Sequence, residues 1–136
     1  MSINKVTIFT DGAARGNPGP AAIGAVIRDE SGSVLATISK CLGTTTNNQA
    51  EYCAIIAALE KAVSLGAKSV EIFSDSLLVV EQICGRYKIK HAALRTLYQD
   101  VVKLIGSLES FKITYVPRER NKAADELANQ ALDNAK

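Results

Sequence analysis

Short apolar stretches separated by polar or glycine-rich turns follow one another along the first third of the chain, as expected for β-strands. Three apolar stretches, Lys5–Thr10, Ala21–Arg28 and Val34–Leu42, predict three strands, and the polar turn Glu30–Ser33 joins the second strand to the third. Because their connections are short, these strands are expected to pair as an antiparallel meander.

The hydrophobic period becomes helical from Asn48 to Leu65, and Gly66 is expected to end this helix. One stripe along the helix is apolar and is expected to face the core. It contains Tyr52, Ile55, Ile56, Leu59 and Val63.

The second half of the chain alternates between strands and helices. Ser69–Asp75 and Phe111–Val116 predict strands, Leu77–Cys84 predicts a short helix, and Ala123–Leu132 predicts the last helix. Strands separated by helices favour parallel pairing, so the order predicts an α/β fold with a mixed five-stranded sheet and helices on both faces. A longer amphipathic helix is predicted from the spacing of Leu94, Leu97, Tyr98, Val101, Leu104 and Ile105.

Two of the predicted strands end in the same pattern, because "IFTD" at Ile8–Asp11 is echoed by "IFSD" at Ile72–Asp75. If the two strands are parallel neighbours, both aspartates lie at the carboxyl edge of the sheet, where open α/β sheets bind their ligands. The alternative is that both aspartates only initiate turns, which is a common use of this residue.

Glu51 favours the interpretation as a binding site. It heads the stripe that Ile55, Leu59 and Val63 continue, and a lone carboxylate on a core-facing stripe is costly to bury. The alternative is a favourable interaction with the helix dipole in the first turn. That alternative does not explain why the apolar stripe begins at this residue.

Asp125 gives a weaker signal of the same kind. It borders the apolar face of the last helix, whereas its neighbour Glu126 points away from that face. Asp125 also lies near the start of its helix, so capping or a dipole interaction is the alternative.

Four carboxylates that converge without cysteine or histidine partners would suit a hard cation. Mg²⁺ or Mn²⁺ is the natural choice for such oxygen ligands. Two ions about 4 Å apart would activate a water and stabilise the leaving oxygen of a phosphodiester. Asp11 and Asp75 would supply rigid ligands from the sheet, and Glu51 and Asp125 would complete the set from the helices.

The composition of the chain indicates its domain number, the state of its cysteines and its cellular location. A chain of 136 residues with 47% hydrophobic content is expected to form one domain over residues 1–136, and its formal net charge of +2 does not by itself indicate nucleic-acid binding. Cys41, Cys53 and Cys84 lack metal-ligand spacing and are expected to be buried free thiols. No leader or membrane-length apolar run is visible, so we expect a cytoplasmic protein without a membrane partner.

Four stretches of the chain together resemble type 1 ribonuclease H, in that family's order and over nearly the whole length. They are "TDGAARGNPGPAAIG", "TTNNQAEYCAIIAAL", "IFSDSLLVVEQI" and "VPRERNKAADELANQAL". The resemblance implies a ribonuclease H-like fold and two-metal cleavage of the RNA strand of an RNA–DNA hybrid, leaving a 5′-phosphate and a 3′-hydroxyl. It assigns the metal ligands to Asp11, Glu51, Asp75 and Asp125.

The resemblance also implies substrate contacts in the loop that follows Asp11. Gly12, Arg15 and Asn17 would line the minor groove of the hybrid, where the 2′-hydroxyls mark the RNA strand. Glycine at positions 12 and 16 would let the backbone approach the nucleic acid closely.

A second set of implied contacts lies at the start of the first helix. Asn47, Asn48 and Gln49 would also line the minor groove, and Thr46 would contact a phosphate of the DNA strand. Helix capping is the alternative for the two asparagines, and Asn48 is expected to cap while Asn47 binds substrate.

The chain departs from many bacterial members in two places. The region "GRYKIKHAAL" is too short for their basic protrusion, so Lys88 and Lys90 are the candidate contacts there and a shallow salt dependence is expected. An ordinary solvated turn is the alternative for this region.

The segment "VPRERNKAAD" lacks the catalytic histidine that many members carry before the last helix. Arg118 or Glu119 would therefore assist proton transfer or product release, and Arg118 is the preferred candidate. The histidine of this chain, His91, lies elsewhere in the sequence and is expected at the surface.

The form of this segment resembles the archaeal-like and plant-like branch of the family, some of whose members also act on double-stranded RNA, which is therefore a second expected substrate. Two other interpretations stay open: a non-catalytic module that binds hybrid or double-stranded RNA, and a nuclease domain of a larger chain such as a reverse transcriptase. All four acids are present, which argues against the first of these. The opening Met1 and the end soon after the last helix favour a whole protein, expected to be a monomer.

Overall fold

The computed structural model describes residues 4–134 of the chain. The strands and helices alternate in the predicted order, and one turn of 3₁₀ helix (Arg118–Arg120) precedes the last helix. The elements are β1 (Lys5–Ala14), β2 (Gly19–Arg28), β3 (Val34–Thr45), α1 (Asn47–Ser64), β4 (Ser69–Ser74), α2 (Leu77–Ile83), α3 (Ala92–Ile105), β5 (Ser110–Tyr115) and α4 (Lys122–Asn134).

The five strands form one mixed sheet in the order β3-β2-β1-β4-β5, which confirms the predicted fold class. β1, β2 and β3 pair antiparallel through their short loops, whereas β4 pairs parallel with both β1 and β5. The strands that pair in parallel are connected through helices, because a parallel connection must cross from one end of the sheet to the other. β1 therefore lies at the centre of the sheet, between the two kinds of pairing.

The register of β1 against β4 aligns the two repeated motifs. Thr10 pairs with Ser74 at the last step of this parallel ladder, so the aspartates that follow both residues leave it at the same level. The sequence predicted that β1 ends here, and that was wrong: β1 continues to Ala14 because it keeps pairing with β2, from Gly24 back to Ala21. β3 likewise runs past its predicted end to Thr45, through an irregular step near Gly43.

The two faces of the sheet are covered by different helices, which approach the central strands closely. Gly12 faces α1, where an added Cβ atom would lie 2.2 Å from the carbonyl carbon of Ala50. Gly24 faces α4, where an added Cβ atom would lie 2.1 Å from the carbonyl oxygen of Ala124. Since no side chain fits at either position, glycine allows both helices to lie directly against the sheet beside Asp11.

The main core lies between the sheet and α1, and it corrects two sequence expectations. Val63 is 37% exposed, because the buried face of α1 follows Ala54, Ala58 and Ala62 rather than continuing through Val63. The three cysteines are free thiols, but Cys41 and Cys84 are exposed and Cys53 is half-buried. They lie on an edge strand, at the end of a short helix and beside the buried face of α1, so the prediction that they are buried was wrong.

None of the helices in residues 4–134 is both long enough and apolar enough to cross a membrane.

Candidate active site

Three carboxylates from three different elements meet at the carboxyl edge of the sheet. Asp11 comes from β1, Asp75 follows β4, and Glu51 comes from the first turns of α1. Each offers one oxygen, and these oxygens all lie within 4.8 Å of one another. We call these three residues the carboxylate cluster.

Glu51 reaches the cluster because α1 presses its backbone against Gly12. The N–H of Gly12 donates to Oε1 of Glu51 at 2.6 Å, which fixes this carboxylate although it is only 4% exposed. The sequence pattern predicts Glu51 at the head of the core-facing stripe, and the structure gives the reason. The helix begins at the edge of the sheet, so Glu51, near the start of its buried face, lies beside Asp11 rather than an apolar side chain.

The cluster changes the acidity of Asp11. The pKa of this carboxyl group is raised from 3.8 to about 8, mainly by burial and next by the negative charge of Asp75. A hydrogen bond with Asp125 and the charge of that residue contribute to this increase, whereas the positive charge of Arg118 opposes it. A group that is 5% exposed beside other carboxylates is therefore costly to ionise.

The pKa of Glu51 is raised as well. Burial raises its pKa well above the usual range, and the charge of Asp11 adds to this effect, while the hydrogen bond from Gly12 opposes it. These buried acids would ionise readily only beside a compensating cation. Because the donor set consists of carboxylate oxygens, the residues fit a hard divalent cation such as Mg²⁺ or Mn²⁺.

Asp125 and Arg118 lie beside the cluster rather than within it. Asp125 is in the first turn of α4 and is near enough to share a hydrogen bond with Asp11, but it does not belong to the group of three. Arg118 is exposed on the 3₁₀ turn, and its charge lowers the pKa values of both Asp11 and Glu51. Glu119, the alternative to Arg118, is exposed on the same turn.

The loop between β1 and β2 is fastened to the start of α1 by two hydrogen bonds. The N–H of Ala14 donates to Oδ1 of Asn47 at 3.3 Å, and the N–H of Asn47 donates to Oδ1 of Asn17 at 3.1 Å. Two of the predicted substrate contacts are thus brought together. Their amide Nδ2 groups make none of the hydrogen bonds found within residues 4–134 and are available to a ligand.

The start of α1 is capped by Thr46, not by Asn48 as the sequence predicted. Oγ1 of Thr46 accepts from the N–H of Gln49 at 3.2 Å, and Oε1 of Gln49 accepts from the N–H of Thr46 at 3.3 Å. This reciprocal pair is a capping box, and the side chain of Thr45 adds a further bond to Gln49. Asn48 is left free of the cap and lines a small cavity with Thr46 and His91.

Two residues of the glycine-rich loop are engaged differently from their predicted roles. The close approach at Gly12 is made by α1 rather than by nucleic acid, and the Gly12 N–H is already donated to Glu51. The guanidinium of Arg15 is exposed but pairs with Asp133 near the end of α4, at 2.7 Å, and contacts Asn129. Contacts of Gly12 and Arg15 with a substrate stay predictions.

The basic segment (residues 84–91, between α2 and α3) is separate from the cluster. Lys88 and Lys90 are exposed and belong to none of the ion pairs within residues 4–134. Arg86 is engaged with Glu81 through two hydrogen bonds. His91 is exposed at the start of α3, as predicted.

Asn121 is a buried polar residue at this edge that the sequence argument missed. It lies just before α4, and its amide donates to Asp75 and to the carbonyl of Thr10. An asparagine just before a predicted helix, four residues ahead of Asp125, was a usable signal, but a weak one, because asparagine is common at helix starts as a cap.

Comparisons with known proteins agree with this geometry. The family model described as "Reverse transcriptase-like" matches residues 9–131. The chain is 44% identical over 131 residues to ribonuclease HI of Halobacterium salinarum, covering 96% of this chain and 66% of that protein. It is 47% identical over 132 residues to the bifunctional protein Rv2228c of Mycobacterium tuberculosis, covering 96% of this chain but 36% of that protein. The chain thus spans about a third of the length of its mycobacterial relatives.

Solved structures give the same picture. The crystal structure of the Halobacterium salinarum RNase H1 superposes with a TM-score of 0.95 at 43% identity, covering 97% of this chain and all of that one. LC11-RNase H1, whose crystal structure is a complex with an RNA/DNA hybrid, superposes with a TM-score of 0.91 at 44% identity. That comparison covers 96% of this chain and 98% of the other.

Proposed function

This chain belongs to the type 1 ribonuclease H family, and on that premise we propose that it hydrolyses the RNA strand of RNA–DNA hybrids with the help of divalent metal ions. The observation that carries the proposal is the meeting of Asp11, Glu51 and Asp75 within 4.8 Å at the carboxyl edge of the sheet. The neighbour that binds an RNA/DNA hybrid supports the choice of substrate.

The carboxylate cluster would hold Mg²⁺ or Mn²⁺, with two ions present when substrate is bound. When bound, such ions activate a water molecule and stabilise the leaving oxygen of a phosphodiester. Attack of a water on phosphorus would break the bond to the 3′ oxygen. That oxygen would take up a proton to become a 3′-hydroxyl, and the phosphate would remain on the 5′ oxygen of the other product. Asp125 completes the ligand set from α4 in this proposal, which its contact with Asp11 supports.

The remaining residues of the proposed site bind and orient the hybrid. Asn17 and Asn47, tied to each other by a hydrogen bond, present their free amide groups from a fixed position. Side chains of this kind are suited to reading 2′-hydroxyl groups in a minor groove. Arg118 places a positive charge beside the cluster, where it would assist proton transfer or the release of the phosphate product.

The peripheral contacts come from half-buried and exposed side chains. Asn48, Gln49 and Thr46 are half-buried at the start of α1, and the exposed Lys88 and Lys90 add positive charge from the basic segment. Activity on double-stranded RNA is part of the proposal as a side reaction. The cytoplasmic location, the monomeric state and the interpretation of the chain as a single complete domain stay predictions.

A cleavage assay tests the function. The protein is incubated with an RNA–DNA hybrid, a double-stranded RNA and a double-stranded DNA, each with Mg²⁺, Mn²⁺ or EDTA. Asp75→Asn removes one metal ligand, and Asp100→Asn, on the exposed face of α3, is the matched control. We expect metal-dependent cleavage of the RNA strand by the wild type and by Asp100→Asn, but none by Asp75→Asn.

The same assay separates the competing functions. If the hybrid binds without being cleaved under any condition, the chain is a binding module and the nuclease proposal fails. Cleavage that survives in Asp75→Asn would show that the reaction occurs elsewhere than at the carboxylate cluster. The lane with double-stranded RNA decides the breadth of the substrate range.

A further inference from the structure

We propose that Asn121 is a positioning residue for the metal site, which holds the Asp75 carboxylate in the orientation that a divalent cation needs. Asn121 lies between the 3₁₀ turn and α4 and is 1% exposed. Its Nδ2 donates to the carbonyl oxygen of Thr10 at 2.8 Å and to Oδ2 of Asp75 at 3.2 Å. The inference deepens the proposed function and rests on it.

The chemistry of the two neighbours fixes the orientation of the amide. Both partners of the Asn121 amide are oxygen acceptors. If the amide were flipped by about 180°, its Oδ1 would face these two oxygens, and both hydrogen bonds would be lost. In the observed orientation, Oδ1 of Asn121 is buried without a hydrogen-bond partner among residues 4–134. An unpaired buried acceptor costs free energy. We infer that the two hydrogen bonds donated by Nδ2 are the reason an asparagine stands at this position.

Asn121 joins the elements that carry three of the four acids. The carbonyl it binds belongs to Thr10, the residue directly before Asp11. Its own carbonyl oxygen accepts from the N–H of Asp125 at 3.1 Å and so begins α4. A displacement of Asn121 would therefore move Asp11, Asp75 and Asp125 relative to one another.

Asp75 needs such support more than its partners do. It lies just beyond β4, where the parallel ladder has ended, and it is half-buried rather than packed into the sheet. Within residues 4–134, Asn121 supplies the side-chain hydrogen bond that the Asp75 carboxylate accepts. By binding one oxygen, the amide leaves the other oxygen of Asp75 for a cation, as outer hydrogen bonds do for many metal ligands.

The test measures metal binding directly, without substrate. Free Mn²⁺ is followed by electron paramagnetic resonance during titration of the wild type and of Asn121→Ala, below the unfolding temperature of both. We expect the variant to bind Mn²⁺ roughly 10- to 100-fold more weakly. The metal concentration for half-maximal hybrid cleavage should rise by the same factor, while KM for the hybrid at saturating metal stays unchanged.

A buried amide elsewhere in the fold provides the control. Oε1 of Gln82, in α2, accepts from the hydroxyl group of Tyr52, and Gln82→Met removes this bond while keeping the volume. This variant should lose thermal stability but bind Mn²⁺ like the wild type. An equal loss of Mn²⁺ affinity in both variants, or wild-type affinity in folded Asn121→Ala, would overturn the inference.

Two further measurements decide the matter if Asn121→Ala does not fold. Asn121→Ser keeps a donor and should show an intermediate Mn²⁺ affinity. In the wild type, the Asn121 side-chain amide signals in a nitrogen-15 spectrum should shift with added Mg²⁺, and a lack of any shift counts against the inference. Wild-type protein that neither binds Mn²⁺ nor cleaves hybrid would remove the proposed function itself, whereas normal metal binding by both Asn121 variants removes only the role of Asn121.

Discussion

The carboxylate cluster and the basic segment are held in opposite ways. In the cluster, Asp11 and Glu51 are almost fully buried, and each comes from an element whose backbone is fixed against its neighbour by a glycine or a hydrogen bond. In the basic segment, Lys88 and Lys90 extend from an irregular connection into solvent. The chain thus places the groups proposed for chemistry on rigid elements and leaves long flexible charges at the periphery.

This difference follows from what each region would do. Metal ligands need their oxygens fixed within a fraction of an ångström, which only a packed framework supplies. Contacts with a phosphate backbone depend on long-range charge and tolerate many side-chain conformations. Substitutions in the two regions should therefore differ in kind, and the predictions below compare them from the largest expected effect to the smallest.

The largest effect is expected from Asp11→Asn. Loss of this ligand should lower the rate of hybrid cleavage at least about 1,000-fold, equivalent to roughly 4 kcal/mol of transition-state stabilisation. The fold should persist, because the change removes a charge that Asp75 and burial both oppose. Initial cleavage rates and circular dichroism melting check both parts, and an unfolded variant would contradict the second.

Gly12→Ala should damage the framework itself. The new methyl group would overlap the backbone of Ala50, so α1 has to move away from β1 and carry Glu51 with it. We expect a loss of about 3 kcal/mol in the free energy of unfolding, measured in urea, and weaker cleavage. Gly106→Ala is the control. Gly106 has a helical φ of −60°, and a Cβ atom added there would lie 3.3 Å from its nearest neighbour, the carbonyl oxygen of Lys103, so this substitution should change stability little.

The metal-free protein should become less stable as pH rises. The pKa of Asp11 is about 8 in the folded protein, whereas the ordinary value of 3.8 applies to the unfolded chain. Between these two pH values, the unfolded chain releases a proton that the folded chain retains, so the contribution of Asp11 to stability is greatest below about pH 4 and falls until about pH 8. The free energy of unfolding is measured in urea with EDTA present. Relative to the wild type, that of Asp11→Asn should increase by about 1–3 kcal/mol between pH 5 and pH 8.5. Parallel pH profiles of the two proteins would disprove this.

The smallest effect is expected in the basic segment. The double variant Lys88→Ala with Lys90→Ala should raise KM for the hybrid roughly 3- to 10-fold at low salt and leave kcat unchanged. The slope of the logarithm of affinity against the logarithm of salt concentration should fall by about 2. Lys61→Ala with Lys103→Ala, in the last turns of α1 and α3, removes the same charge elsewhere and serves as control. Equal effects of the two pairs would mean that only net charge matters.

Hydrophobic periodicity was sufficient to predict the order of the elements and a mixed sheet, whereas the parallel pairing of β1 with β4 was a hypothesis that the structure confirms. Because each period depends on neighbouring residues alone, it can be read from the sequence. The convergence of Asp11 and Asp75 followed from that pairing, and Glu51 was found because a carboxylate began an apolar stripe.

The errors came from contacts between distant residues. β1 runs beyond Asp11 because β2 continues to pair with it, which the apolar pattern does not record. Thr46 caps α1 because Gln49 completes the reciprocal bonds, a choice among adjacent polar residues that only the backbone geometry decides. Asn121 was missed because its partners, Thr10 and Asp75, are far away along the chain.

The docking of α4 beside Asp11 has a consequence for the protein during its synthesis. Asp11 belongs to β1, whereas Asp125 and Asn121 lie more than 100 residues later in the chain, in α4 and just before it. Asn121 binds the Asp75 carboxylate. Domains emerge from the ribosome with their N-terminal part first. A nascent chain that has emerged only as far as Asp75 already holds Asp11, Glu51 and Asp75 but lacks the helix beside them, so the proposed metal site stays unassembled until α4 has emerged.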